Sequence, residues 1–140
     1  MTKTILIVED DIELLDLYAE ILQVNMYNVQ TAINGEEAIA KYKQTHPDLV
    51  VMDGYMPKLD GYEAFSQIIK IDKNAKVVMV TGHAEFEVKN KKALEQGLIS
   101  VISKPISIDT LLDLAKKYSN IKNLEKQDLV YNSNLERSIN

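Results

Sequence analysis

The chain has no cysteine, which excludes a disulfide scaffold and any thiolate-ligated metal site. Histidine is nearly as scarce: with only His46 and His83, a zinc site is not expected. Arg137 is the single arginine, and the net charge is −5. A nucleic-acid binder usually carries a basic face or stripe. Here the densest basic group, Lys89, Lys91 and Lys92, is surrounded by Glu85, Glu87 and Glu95. Mixed charge of that kind reads as a solvated helix face, so no nucleic-acid partner is expected. No apolar run approaches the ~20 residues that cross a bilayer, so no membrane insertion is expected. The first run, Ile5-Leu6-Ile7-Val8, is too short for a signal peptide's core. These absences fit a cytoplasmic protein in a reducing compartment. A length of 140 residues suits one domain with a real core.

Strand-like and helix-like segments alternate, which predicts βα units around a parallel sheet. Strands are expected at 4–8, 28–32, 49–52, 76–80 and 98–102. The first helix is expected over 12–24, with Ile12, Leu15, Tyr18, Ala19 and Leu22 on one face at helical spacing. Asn34 followed by Glu37, and Asp60 followed by Glu63, have the spacing of capping boxes for the second and third helices. His46-Pro47 ends the second helix, because proline disfavours helical geometry in the residue before it. The third helix is expected to end near Asp72, and the fourth to run from 84 to 96 and stop at Gly97. Ser107 caps the fifth, whose predicted apolar face is Ile108, Leu111, Leu112, Ala115 and Tyr118. The expected domain is 1–120, and residues 121–140 fit either an extension of the last helix or a flexible tail.

The strands end in telling groups. The first runs into Glu9-Asp10-Asp11, the third into Asp53, the fourth into Thr81-Gly82, and the fifth through Ser103 into Lys104-Pro105. In a parallel α/β sheet the carboxyl ends of the strands share one edge, where ligands bind. Each group alone has a plainer reading. Asp10 or Asp11 suits a helix cap, Thr81 a turn, Lys104 the surface, and His83 a solvated or structural position. Together they are more specific. Clustered carboxylates need a cation, or one of them takes up a proton. An all-oxygen site with few carboxylates suits Mg²⁺. A carboxylate beside Mg²⁺ can attack phosphorus and form an aspartyl phosphate. The ammonium of Lys104 and the hydroxyl of Thr81 would serve the phosphoryl oxygens, with Asp53 as acceptor.

The order acid pair, Asp53-Gly54-Tyr55-Met56-Pro57, Thr81-Gly82, Lys104-Pro105 closely resembles the receiver domain of two-component response regulators, including stand-alone receivers of the chemotaxis CheY type. The resemblance covers about residues 4–118. It implies a doubly wound α/β fold, flavodoxin/CheY-like, with a five-stranded parallel sheet in order 2-1-3-4-5 and helices on both faces. It also implies that Asp53 is the phosphoacceptor and that Mg²⁺ sits on Asp10 and Asp53, on Glu9 mostly through water, and on the Tyr55 backbone carbonyl. Thr81 and Lys104 would bind the phosphoryl group. The donor would be a phosphohistidine on a sensor histidine kinase or phosphotransfer protein. The protein would be a switch or relay component rather than an enzyme, a monomer or weak dimer, with a downstream protein target. The Lys104-Pro105 bond is cis in many such relatives.

Two positions depart from that pattern. Glu9 stands where aspartate is commoner. Val101 occupies the slot that usually carries the inward-turning switch aromatic, so readout is expected at the Thr81 turn and the start of the fourth helix. Three other functions compete. Glu9-Asp10-Asp11 would repel the phosphate of an FMN protein, and Tyr55 stands where an aspartate-dependent phosphohydrolase carries its second acid. A pseudo-receiver that binds partners without phosphorylation would not need Asp10, Asp53, Thr81 and Lys104 intact.

Overall fold

In the computed structural model, which describes residues 2–82 and 87–119, strand and helix alternate without exception. The elements are β1 (Thr4–Val8), α1 (Ile12–Val24), β2 (Asn28–Ala32), α2 (Gly35–Thr45) and β3 (Leu49–Asp53), then α3 (Gly61–Ile71), β4 (Val77–Thr81), α4 (Glu87–Glu95), β5 (Ser100–Ser103) and α5 (Ile108–Ser119). The sheet is parallel throughout, in the order β2-β1-β3-β4-β5. That is the expected doubly wound arrangement.

β3 and β4 bury every residue, as strands covered on both faces must, and this is why they read as unbroken apolar runs. Side chains alternate between the two layers. Leu6, Val8, Val50, Met52, Val77 and Met79 face a core shared with residues of α2, α3 and α4. Ile5, Ile7, Leu49, Val51, Val78 and Val80 face a second core under α1 and α5. The register pairs Val8 with Met52, Asp53 with Val80, and Thr81 with Ser103. The polar residues that follow the apolar runs therefore reach the same edge of the sheet.

Capping follows the expected residues. Asn34 Oδ1 accepts from Glu37 N at 2.8 Å, and Asp60 Oδ1 accepts from Glu63 N at 2.9 Å. Asp11 caps α1 by accepting from Glu13 N and Leu14 N, which settles which of the two aspartates does so. Ser107 Oγ accepts from Thr110 N at 3.1 Å. Gly97 closes the α4 unit at φ 112°, a backbone that only glycine adopts without strain.

The structure corrects several details. Ile12 and Ile108 are 53% and 52% exposed. Each is the first residue of its helix, and α5 buries Leu114 instead. β4 ends one residue later than expected, at Thr81, because Thr81 still pairs with Ser103. β5 begins at Ser100 rather than at residue 98. His46 is left-handed, at φ 43°, rather than extended, and its N–H caps α2 through Tyr42 O. The expected beginning of the fourth helix at 84–86, His83, and the extension or tail at 121–140 lie outside the described residues.

Candidate functional site

At the carboxyl edge, three acids and one ammonium meet. Glu9, Asp10 and Asp53 each present a carboxylate oxygen within 4.8 Å of the others. Glu9 and Asp53 are buried, and Asp10 is exposed. Unit charges at such separations repel by roughly 3 kcal/mol per pair at an effective dielectric near 20. Lys104 Nζ answers two of them, donating to Glu9 Oε1 and to Asp53 Oδ2, each at 3.0 Å. The remaining oxygens are also used: Glu9 Oε2 accepts from Asp11 N at 3.2 Å, and Asp53 Oδ1 accepts from Tyr55 N at 3.1 Å. Burial pushes the Lys104 ammonium's pKa down. The hydrogen bonds to Glu9 and Asp53, with their charges, outweigh this and leave it above the usual lysine value. Asp10 shows the opposite strain. Partial burial, its hydrogen bond with Glu9 and the Glu9 charge hold its carboxyl above the usual range.

The loop after Asp53 has little latitude. A Cβ on Gly61 would lie 2.2 Å from the Asp53 carbonyl oxygen and 3.0 Å from Gly54 Cα. Only glycine allows α3 to begin this close to the end of β3. Gly61 N donates to Gly54 O at 3.1 Å, and Gly54 N to Val80 O at 3.0 Å, tying the loop to both α3 and β4. A Cβ on Gly54 would meet the Tyr62 ring at 2.9 Å, the Tyr62 hydroxyl at 3.1 Å and Thr81 Cβ at 3.3 Å. The Tyr62 hydroxyl and Thr81 thus flank the same point above Gly54, and the Tyr62 hydroxyl donates to Asn90 Oδ1 on α4.

Apart from His83, which lies outside the described residues, the strand-end residues singled out in the sequence fall at this edge. Glu9, Asp10, Asp53 and Lys104 converge. Thr81 closes β4 beside them, and the Lys104-Pro105 peptide is cis. Val101, half-buried on β5, lines a cleft with Thr81, Asn90 and Lys104. Tyr55 lies next to the site through its N–H, with its side chain exposed. Sequence reading missed Tyr62 and Asn90. Tyr62 counted there only as a spacer inside the Asp60–Glu63 cap, although an aromatic residue one turn from the acid loop was the available signal. Asn90 had none.

The donor set fits a small hard cation. All the ligand atoms are oxygens, two of the three carboxylates already share a lysine, and Asp10 is turned toward solvent, where a partly hydrated ion can reach it. Among the described residues this is the one such cluster.

A 2-1-3-4-5 doubly wound sheet with an acid cluster and a lysine at its carboxyl edge defines the receiver class of signalling domain. The family model for the response regulator receiver domain matches residues 5–116, and the chain belongs to that family. Among its relatives is the chemotaxis protein CheY of Halobacterium salinarum, 39% identical over 81% of this chain and 93% of the relative. Among solved structures, a CheY-like receiver domain protein of Methanospirillum hungatei superposes with a TM-score of 0.79 at 32% identity, covering 84% of this chain and 93% of that one. A CheX–CheY complex with BeF3 and Mg²⁺ from Borrelia burgdorferi gives a TM-score of 0.73 at 34% identity, covering 79% and 84%. The protein is thus a CheY-like receiver of two-component signalling, and no helix among the described residues is long and apolar enough to cross a membrane.

Proposed function

We propose that this receiver takes a phosphoryl group onto Asp53 and uses it as a reversible signal. The donor in this reading is a phosphohistidine of a sensor kinase or phosphotransfer protein in the cytoplasm. A carboxylate oxygen of Asp53 forms the new bond to phosphorus. The phosphorus–nitrogen bond breaks, and its electron pair returns to the imidazole. The chain's part is positioning and charge. Asp53 is held on a fully buried strand with one oxygen fixed by Tyr55 N. Lys104 already sits 3.0 Å from Asp53 and would follow the phosphoryl oxygens as the carboxylate charge is consumed. The Thr81 hydroxyl would donate to another phosphoryl oxygen. Glu9, Asp10, Asp53 and the Tyr55 carbonyl would hold Mg²⁺, which when bound supplies charge neutralisation at the phosphoryl group. By itself the protein would do no more than accept and lose this group, as a switch or relay rather than an enzyme with a separate substrate.

The observation that carries this reading is the Glu9–Lys104–Asp53 bridge, which places an ammonium beside one acid at the end of the sheet's central strand. Intact-mass spectrometry after incubation with acetyl phosphate tests it. We expect a phosphate adduct with Mg²⁺, none with EDTA, and none in Asp53→Asn. An adduct at the wild-type level in Asp53→Asn, or no adduct in wild type, overturns the reading.

A further inference from the structure

Val101 is short, branched and stiff at χ1, so β5 offers no ring that could swing between two positions. The aromatic residue in contact with Thr81 comes instead from the opposite side of the cleft. Tyr62 occupies the first turn of α3, right after Gly61, which is jammed against the Asp53 carbonyl. Its ring is buried, its hydroxyl lies beside Thr81 above Gly54, and the same hydroxyl reaches Asn90. The three side chains thus lie in series from the end of β4, through α3, to α4.

We propose that Tyr62 carries the state of Asp53 to α4, through a hydroxyl chain whose direction reverses when Asp53 is phosphorylated. The inference rests on the phosphoacceptor reading above and adds to it the route of the signal. A hydroxyl has one proton to give and two lone pairs that can accept. In the structure Tyr62 gives its proton to Asn90 Oδ1, so toward Thr81, its neighbour above Gly54, it can only accept. The resting order is therefore Thr81 to Tyr62 to Asn90. A phosphoryl oxygen is a charged acceptor, and hydrogen bonds to charge are about twice as strong as neutral ones. Thr81 has a single proton and gives it there. Its oxygen then faces Tyr62 with lone pairs only. A chain of hydroxyls pointing toward an anion reinforces itself, each bond polarising the next. Tyr62 turns its proton to Thr81, and Asn90 loses its donor.

α4 is the element that can respond. Among its described residues only Ala93 is buried. Besides the Tyr62–Asn90 bond, Lys89 ties α4 to α3 through an ion pair with Asp60 at 2.9 Å and by lying 5.8 Å from the centre of the Tyr62 ring, with Lys89 half exposed. Exposed pairs of this kind hold an element weakly. Removing the donor from Asn90 therefore loosens or shifts a helix whose described residues bury only Ala93. No atom needs to travel far, because the change is the rotation of two O–H bonds and the response of the helix they held.

The test uses the full chain labelled with nitrogen-15, with Mg²⁺ and beryllofluoride as the phosphoryl mimic. Fluorine NMR reads whether the adduct forms, and amide spectra read the response. In wild type the Asn90 side-chain amide and the backbone amides of 87–95 move together with Thr81 and Gly82. Tyr62→Phe keeps the ring and the fold, forms the adduct and moves Thr81, but the α4 displacements fall to less than half. Asn90→Ala, which leaves the buried ring untouched, shifts the α4 amides toward their adduct-bound positions before any beryllofluoride is added. If Tyr62→Phe forms the adduct and α4 responds as in wild type, the relay is wrong while the phosphoacceptor reading stands. If wild type forms no adduct, the phosphoacceptor reading falls and the relay with it.

Discussion

β3 and β4 bury all of their residues, whereas β5 buries none fully and α4 buries only Ala93. The two halves belong to one sheet and meet at Thr81, which pairs with Ser103. Complete packing leaves the end of β3 a single position, and Gly61 removes any remaining slack by bringing α3 against the Asp53 carbonyl. Thin packing leaves α4 with few buried contacts, and local opening is easiest where buried apolar contacts are few. Dense packing and thin packing are thus neighbours, with Thr81 and Tyr62 at the seam.

The contrast breaks first at the core. Met79 on β4 is fully buried and lies beside Gly61, so Met79→Ala should cost about 3 kcal/mol. Leu94→Ala on α4, where the side chain is 45% exposed, should cost no more than about 0.5 kcal/mol. Urea unfolding of both variants measures the difference, and equal costs would mean that α4 is as firmly packed as β4. A smaller effect tests the polar ties of the well-packed half. Tyr42 donates to Asp72 Oδ2 at 2.8 Å, and this bond, with that from Asn74 N, holds the Asp72 carboxyl below its usual range. A lowered carboxyl pKa stabilises the fold above the unfolded value and ceases to do so as pH falls through the folded one. Tyr42→Phe should therefore cost about 1 kcal/mol near neutrality, discounted for the exposure of Asp72, with the gap to wild type narrowing below about pH 4.

The smallest effect has the opposite sign. The Asp10 carboxyl is held above its usual range, so its ionised form penalises the folded state. The penalty is absent below the unfolded pKa and develops as pH rises through the raised folded one. In EDTA, Asp10→Asn should melt slightly higher than wild type near neutral pH, with the gain vanishing below about pH 4. Mg²⁺ should raise the melting point of wild type by mass action and that of the variant much less. A wild-type curve unmoved by millimolar Mg²⁺ would remove the cation from the site.

The strands were legible because runs such as Val77 to Val80 have no polar face and so must be covered on both sides. The acids, Thr81 and Lys104 were legible because each directly follows such a run, and parallel strands bring their carboxyl ends to one edge. Ile12 and Ile108 misled because helical spacing alone does not say how much of a helix's first turn is covered. Asp10 and Asp11 were equal candidates for the cap, and only three-dimensional direction separates them. Tyr62 and Asn90 were hidden for a similar reason. Their bond joins two helices across 28 residues of chain, and no local pattern encodes it.

Lys104 lies 95 residues from Glu9 and 51 from Asp53 along the chain. Contacts so distant form late, since each must first meet the entropy of closing a long loop. During synthesis Glu9, Asp10 and Asp53 all emerge well before their lysine. Until β5 docks, the acids stand together without an ammonium, a state that their own repulsion makes unfavourable. A fragment ending before β5, or a chain whose last βα unit has opened, would hold most of the sheet and none of the counter-charge. Assembly of the bridge is in this sense a completeness check: the three acids and their lysine are together only in a molecule that has finished folding.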